Sequence, residues 1–311
     1  MSDLLTVVPP QRWSEAMDLL VSQLPAEIRT RQKATIGAAL SSDPLLAAGL
    51  LGHFRDDALH TVCWLQGQPG RTANLWPPVQ ATPEEPAIAV ALVTKALDVA
   101  RSQDAALVQS LLPTDAGVEA DTLRRAGFSH VADLLYLVSL AAQFPSSVPT
   151  TKLNLVPLVE ADHRRLERIV ERTYAGSCDC PALDGVRSID DVLAGYRAAG
   201  RFRPELWFIA RLHNEDVGCM LLADHAREPV WELIYMGVVP EARGRGLGLE
   251  MTRNAQWLAA CERVERVVLA VDAANEPAIA MYAAAGFVSW DRRSVFVYVH
   301  ASPQVISQAV L

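Results

Sequence analysis

Six consecutive residues, Arg243-Gly244-Arg245-Gly246-Leu247-Gly248, combine the properties that an anion site needs. Glycines let backbone N–H groups come close to a ligand, and a helix starting there adds unpaired donors and the positive end of its dipole. Arg243 and Arg245 bring charge beside them. The chemistry to expect is a cradle for phosphate. The glycines fall at every second position, which is not the dinucleotide fingerprint G-x-G-x-x-G. The Gly-Lys-Ser/Thr ending of a P-loop is also missing. A surface turn with two solvated arginines is the competing explanation of the loop taken alone. Upstream, Glu232 places a carboxylate within an apolar run, where burial raises a carboxyl pKa toward the range of a useful base.

The flanking residues specify what positions this loop. An apolar, β-branched run from Leu233 to Val239 ends at Pro240, which cannot donate to a ladder. After the loop, Leu247, Met251, Ala255 and Leu258 fall on one helical face. The order is strand, glycine loop, helix. A second strand, Val267 to Val271, leads through a turn at Asp272 to Asn275 into another helix. Asn275 is placed to cap that helix and Pro277 suits its first turn. Ile279 and Tyr282 share a face one turn apart, and Ala285-Gly286-Phe287 follows.

The pattern R-x-x-G-x-G directly after a strand ending in Val-x-Pro, with the second strand, turn and tyrosine-bearing helix at the expected distance, resembles the acyl-CoA-binding core of the GNAT superfamily of N-acyltransferases. The resemblance covers about residues 151 to 300 well and about 4 to 142 faintly. It implies an α/β fold (α+β type) of two GNAT-like domains, each a mixed, mostly antiparallel, splayed sheet flanked by helices. It also implies acetyl-CoA as co-substrate. The pantetheine arm would pair with the backbone of Gly237, Val238 and Val239, and the pyrophosphate would sit on the N–H groups of Arg243, Gly244, Arg245, Gly246, Leu247 and Gly248. Asn275 matches the family's CoA-contacting asparagine, although its capping role explains it equally well.

Acyl transfer to an amine needs a neutral amine and a proton for the leaving thiolate. Glu232 is the expected base, five residues before Gly237, or roughly 17 Å at about 3.3 Å per residue. An edge or solvent-facing glutamate is the alternative. Tyr282 matches the family tyrosine that protonates, or hydrogen-bonds, the departing thiolate; a buried core tyrosine is the alternative there. Tyr235, of opposite strand parity to Glu232, is read as a packing or substrate-contact residue.

Composition narrows the field. At 311 residues the chain is comfortable for two domains, and a net charge of −8 argues against a general nucleic-acid surface. No apolar run approaches the roughly 18 to 20 residues of a membrane span, and Leu4 to Val8 is too short for a secretory signal. Five cysteines without framework spacing predict reduced thiols and a cytoplasmic protein. Cys178-Asp179-Cys180 has no zinc-spaced partner pair, so no metal is expected. The seven histidines form no ligand or triad spacing, and no G-x-S-x-G elbow occurs. Direct transfer in a ternary complex is therefore expected over a covalent intermediate.

The two halves of the chain repeat each other. Ala126-Gly127-Phe128 matches Ala285-Gly286-Phe287 at an offset of 159, and Val8-Pro9 matches Val156-Pro157 at 148. The larger offset places about eleven extra residues in the second half, most simply within Ser177 to Ser188. Shifted by 159, Glu232 lands on Ala73, Arg243 on Glu84, Asn275 on Ala116 and Tyr282 on Leu123. Scaffold positions keep their character and chemical positions lose it. The expected organisation is a degenerate, non-catalytic domain over residues 1–143, a linker over 144–150, and a catalytic domain over 151–311.

The function expected from all this is acetyl-CoA-dependent N-acetylation of a primary amine on a small molecule, with no nucleic-acid or membrane partner and no stated oligomeric state. The alternative is a non-catalytic acyl-CoA-binding or scaffold protein built on the same fold.

Overall fold

The computed structural model describes residues 3–80, 86–159, 162–225 and 228–300. The chain divides into two units, Met1–Val131 with Val295–Leu311, and Ala132–Ser294.

In the first unit the strands β1 (Asp3–Val7), β2 (Leu50–Arg55), β3 (Ala58–Gln68), β4 (Thr72–Gln80) and β5 (Leu107–Pro113) lie side by side in that order. The last residues of β12 (Val288–Val299) follow beside β5, where the His300 N–H donates to Ala106 O. Side-chain alternation along the strands gives the sheet two apolar faces. Leu50, Val62 and Trp64 pack with Ala16, Leu20, Ile36 and Leu40 of α1 (Trp13–Leu20) and α2 (Ala26–Ser42). Leu51, Cys63 and Leu65 pack with Leu92, Val93, Ala96 and Leu123 of α4 (Pro86–Ser102) and α5 (Gly117–Arg125). After α2, Asp43 caps the short α3 (Pro44–Ala48) through the Leu45 N–H, and Leu46 and Ala47 of α3 join the α1/α2 side of the core.

Pro77 and Pro78 lie inside β4, although proline cannot donate to a strand ladder. The β3–β4 register slips there: Trp64 pairs with Trp76 and Val62 with Val79, so the two prolines face one residue of the partner. A bulge is one of the few places where a strand tolerates residues without an N–H. Glu84 and Glu85, expected to replace the loop arginine and first glycine, lie outside the described residues.

The second unit is built to the same plan. Its order is β7 (Asn154–Pro157), β8 (Trp207–Leu212), β9 (Glu215–His225), β10 (Val230–Val238), β11 (Arg266–Asp272), then β6 (Ser129–Leu140, from Ala132 onward) and the first part of β12. α6 (His163–Tyr174) and α7 (Ile189–Ala198) lie on one face, and α8 (Leu247–Cys261) and α9 (Glu276–Ala284) on the other. α6 shows why: its buried residues Leu166, Ile169, Val170 and Thr173 recur every three or four positions, one stripe of an amphipathic helix. On the other face the amide nitrogen of the buried Gln256 of α8 donates to Ser139 Oγ and to Ala285 O at 2.7 Å each.

The unit boundaries differ from those read in the sequence. Residues 144–150 are irregular, as their prolines and serines suggest, but the division falls at Val131 and Ser294. The cause is strand pairing. β6 pairs along seven residues with β11, from Leu140↔Arg266 to Leu134↔Asp272, and so completes the second sheet.

The repeat itself is confirmed element by element. β11, α9 and β12 each begin 159 positions after β5, α5 and β6, so Asn275 and Ala116 are matching N-caps. The parallel pairing corrects one position. Val230↔Arg266, Trp231↔Val267 and Glu232↔Val268 in the second unit correspond to Thr72↔Leu107, Ala73↔Val108 and Asn74↔Gln109 in the first. Glu232 therefore matches Asn74, not Ala73. Among the described residues, no helix is long and apolar enough to cross a membrane.

Candidate active site

β10 and β11 pair for only three residues and then part. Beyond Glu232 the edge of β10 that faces β11 is left without a strand partner, and a slot of about 440 Å³ opens. Leu233 to Val238, Ala270 and Val271 form its sides. The loop glycines 244, 246 and 248 close one end, and Asn275, Met281 and Tyr282 line the α9 side. The residues singled out in sequence are thus brought together, with four exceptions: Glu232, Val239, Arg245 and the side chain of Arg243.

The backbone of β10 explains the second exception. Val239 N–H donates to Val217 O, and Val239 O accepts from Ala242 N, so neither group is free for a ligand. Pairs alternate along an antiparallel ladder. Val238, one residue earlier, therefore turns its N–H and C=O toward the slot, and Gly237 turns back toward its partner Cys219. Gly237 matters for a different reason. A Cβ there would lie 2.5 Å from Thr173 Oγ1 and 2.9 Å from the Tyr235 hydroxyl, so α6 packs this closely only against glycine. Gly237→Ala is expected to cost about 1–3 kcal/mol by overpacking. This would be read as a lower denaturant midpoint; an unchanged midpoint would contradict the close approach of α6.

At the loop, Gly244 and Gly246 have φ of 71° and 78°, a region that L side chains rarely adopt, and both open onto free space. Gly246 is the N-cap of α8 and provides no side-chain cap, so the first-turn N–H groups of Leu247, Gly248 and Leu249 face the slot as donors. The two arginines divide the remaining work. Arg243 donates to three carbonyls, Val238 O at 3.0 Å, Gly176 O at 2.8 Å and Thr173 O at 2.9 Å. It ties the loop to the C-terminal end of α6 and does not reach into the slot as a free charge. Arg245 is exposed and has no ion pair among the described residues.

Tyr282 is buried at the slot, tilted against Phe287, and its hydroxyl has no hydrogen-bond partner among the described residues. Burial first, and the Asp179 charge second, push its phenol well above the ordinary value, so it enters a reaction as a neutral donor. Asn275 caps α9 through Ala278 N–H at 3.3 Å and also hydrogen-bonds the Asp179 carboxyl.

Asp179, which the sequence suggests only as one of several residues between 170 and 205 on the substrate side, lines the slot itself. Although the residue presents an edge to solvent, its carboxyl sits against β11 and accepts the Asp272 N–H at 2.8 Å. Burial raises its pKa, with the Asp272 charge adding to the effect and the hydrogen bonds opposing it. The buried Asp272 carboxylate in turn accepts the Cys180 N–H at 3.0 Å, which fixes the 177–180 turn across the slot. Burial pushes the Cys180 thiol up to about 12, so it stays protonated near neutral pH and is no nucleophile.

Glu232 lies on the α6/α7 face of β10, its side chain about a third exposed at 34%, with Oε2 2.9 Å from His225 Nε2. His225 is a residue missed in sequence; its only signal there is the β9–β10 hairpin, which sets it opposite Val230. The register also corrects the reading of Tyr235. Leu233 pairs with Leu222 and Tyr235 with Leu221, so Ile234 is an extra residue and the strand's faces exchange at that point. Glu232 and Tyr235 therefore share a face. Tyr235 is bonded to Thr173 Oγ1 at 2.7 Å and stacked on Tyr196, and burial holds its phenol far above the ordinary value.

Among the described residues one cluster has the composition of a metal site, His163, Glu167 and Asp190. Arg197 Nη2 lies 2.9 Å from His163 Nδ1, and a guanidinium can only donate. The proton is then on Nε2, which pairs with Glu167 at 2.9 Å, so both ring nitrogens are already engaged.

Residues 177–287 match the family described as Acetyltransferase (GNAT). Mycothiol acetyltransferase from Streptomyces bingchenggensis is 38% identical over 90 residues, 29% of this chain and 29% of that protein. The enzyme of the same name from Acidothermus cellulolyticus is 39% identical over 72 residues, 23% and 22% of the two chains. These matches span less than a third of those relatives. Among solved structures, a GCN5-related N-acetyltransferase from Sphaerobacter thermophilus superposes with a TM-score of 0.68 and 16% identity over 96% of this chain and 95% of its own. A tandem GNAT protein from the clavulanic acid biosynthesis pathway gives 0.54 and 16% over 97% and 100%. At such identities the likeness is one of fold. The splayed strands, the glycine loop at the α8 N-terminus and the family match coincide on the same residues, and the chain carries a GNAT acetyltransferase domain.

Proposed function

We propose that the second unit transfers an acetyl group from acetyl-CoA to a primary amine of a small molecule, by direct transfer in a ternary complex. The observation that carries this reading is the pairing of anion donors and an unpartnered, neutral Tyr282 hydroxyl within one slot. The α8 N-terminus and Arg245 would hold the pyrophosphate. The Val238 N–H, which has no ladder partner, would hold the pantetheine amide, beside a Val238 carbonyl that already accepts from Arg243.

The amine nitrogen attacks the thioester carbonyl, forming C–N as C–S breaks. Glu232, steadied by His225, takes the proton that the nitrogen loses, and Tyr282 gives its proton to the departing thiolate. Products are the acetamide and free CoA thiol, and solvent resets both side chains. The relatives named mycothiol acetyltransferase support acetyl transfer to a small molecule. The first unit is assigned a non-catalytic role: it keeps the β4/β5 splay but carries Asn74, Ala116 and Leu123 where the second unit has Glu232, Asn275 and Tyr282.

Tyr282→Phe tests the acid. The ring and its packing are kept, so acetyl-CoA should bind as in the wild type while kcat falls by about a hundredfold, the lower end of general-acid effects. A kcat equal to wild type would remove Tyr282 from the mechanism.

A further inference from the structure

A second cavity, of about 810 Å³, lies on the Glu232 face of the second unit, within the size range of small-molecule sites. Its position follows from the register. Glu232 is flanked across the sheet by Val268 of β11 and Val138 of β6, and Val230 stands two residues before it on the same face. Those three valines and Leu140 form the floor. Trp290 forms a wall, 62% exposed but held edge-on against Tyr136 at 5.9 Å. His225 lines the cavity and carries the hydrogen bond to Glu232, so the carboxylate is one bond away from whatever occupies it.

The charged residues at the rim are paired with each other. Arg266 meets Glu228 at 2.9 Å, and Arg201 and Arg203 reach Asp224 at 3.9 and 3.6 Å. The floor offers aliphatic carbon and no side-chain donor. A polyhydroxylated acceptor would bury hydroxyls there without partners, whereas an apolar body would be covered on the floor by the valines and on one side by the indole.

We propose that this cavity is the acceptor site and that it selects a primary amine carried on an apolar, aryl or alkyl, body, with the nitrogen at the His225–Glu232 end. The assignment rests on the acetyl-transfer reading above. It goes further in excluding sugar-like amines as preferred acceptors.

The test uses the full chain, acetyl-CoA and two primary amines, 2-phenylethylamine and glucosamine, in initial-rate assays. The expected result is a kcat/KM at least tenfold higher for 2-phenylethylamine, on the order of what one or two well-buried methylenes or one unpaired hydroxyl contribute in an apolar pocket. Trp290→Ala, a truncation at an exposed position, should raise KM for 2-phenylethylamine about tenfold with kcat near that of the wild type. Equal or faster acetylation of glucosamine would overturn the apolar acceptor class while leaving acetyl transfer intact. An unchanged KM in Trp290→Ala would overturn the placement in this cavity. Binding of acetyl-CoA with acetylation of neither amine would overturn the acceptor site and the enzymatic reading together.

Discussion

Gly248→Val should abolish acetyl-CoA binding, raising Kd at least about a hundredfold, or roughly 2.8 kcal/mol, without lowering thermal stability. The reasoning depends on which glycine is changed. Gly244 and Gly246 occupy left-handed conformations, so a side chain there strains the folded loop whether or not a ligand binds. Gly248 does not. It sits in the first turn of α8, and a Cβ placed on it meets only the flexible ends of Met281 and Met236, at 3.7 and 3.9 Å. Replacing an intrahelical glycine by valine is slightly favourable on propensity, by a few tenths of a kcal/mol. The space that the new side chain fills is the space through which a phosphate oxygen must come within hydrogen-bonding distance of the first-turn N–H groups. Calorimetry with acetyl-CoA and a thermal scan of the same sample separate the two effects. A variant that is stable and binds normally would show that the pyrophosphate does not use this turn.

Glu232→Gln should lower kcat/KM by about 10²- to 10⁴-fold near neutral pH, the usual range for loss of a positioned general base. Glutamine keeps the shape of the side chain and can still bond His225, so binding of acetyl-CoA and the fold should be unchanged. The loss should shrink as pH rises toward the pKa of the acceptor, because an amine already neutral in solution needs less help. Tyr235 shares the face of Glu232 but cannot take over. Its phenol is buried, bonded to Thr173 and held protonated. Wild-type rates in Glu232→Gln at every pH would refute the assignment of the base.

These expectations combine what is visible along the chain with what only strand pairing reveals. The glycine loop was legible because two of its residues need a backbone that only glycine adopts easily, and the third must leave room for a ligand. The internal repeat was legible wherever element lengths agree, from β11 to β12. It slipped by one residue at β10, where the parallel pairing matches Glu232 to Asn74. The bulge at Ile234 left no mark in the sequence, since a bulge is a property of two strands in register, and so the face shared by Glu232 and Tyr235 was misread. The same limit hid Val239, whose backbone is taken up by Val217 and Ala242. The two roles of arginine at the loop were also hidden. Arg243 finds two of its carbonyls at the end of α6 and just beyond it, 70 and 67 residues earlier, and no local pattern encodes that. Proline and serine composition located the irregular stretch at 144–150, but unit membership is decided by β6, which pairs with β11.

The most direct test of the central claim is the stoichiometry of acetyl-CoA binding to the wild-type chain by calorimetry. The account predicts one site per chain, with a rise in melting temperature that reflects about 2.7 kcal/mol of added stability at a hundred times Kd. Two sites would contradict the non-catalytic assignment of the first unit, and no binding would contradict the slot between β10 and β11 as an acetyl-CoA site.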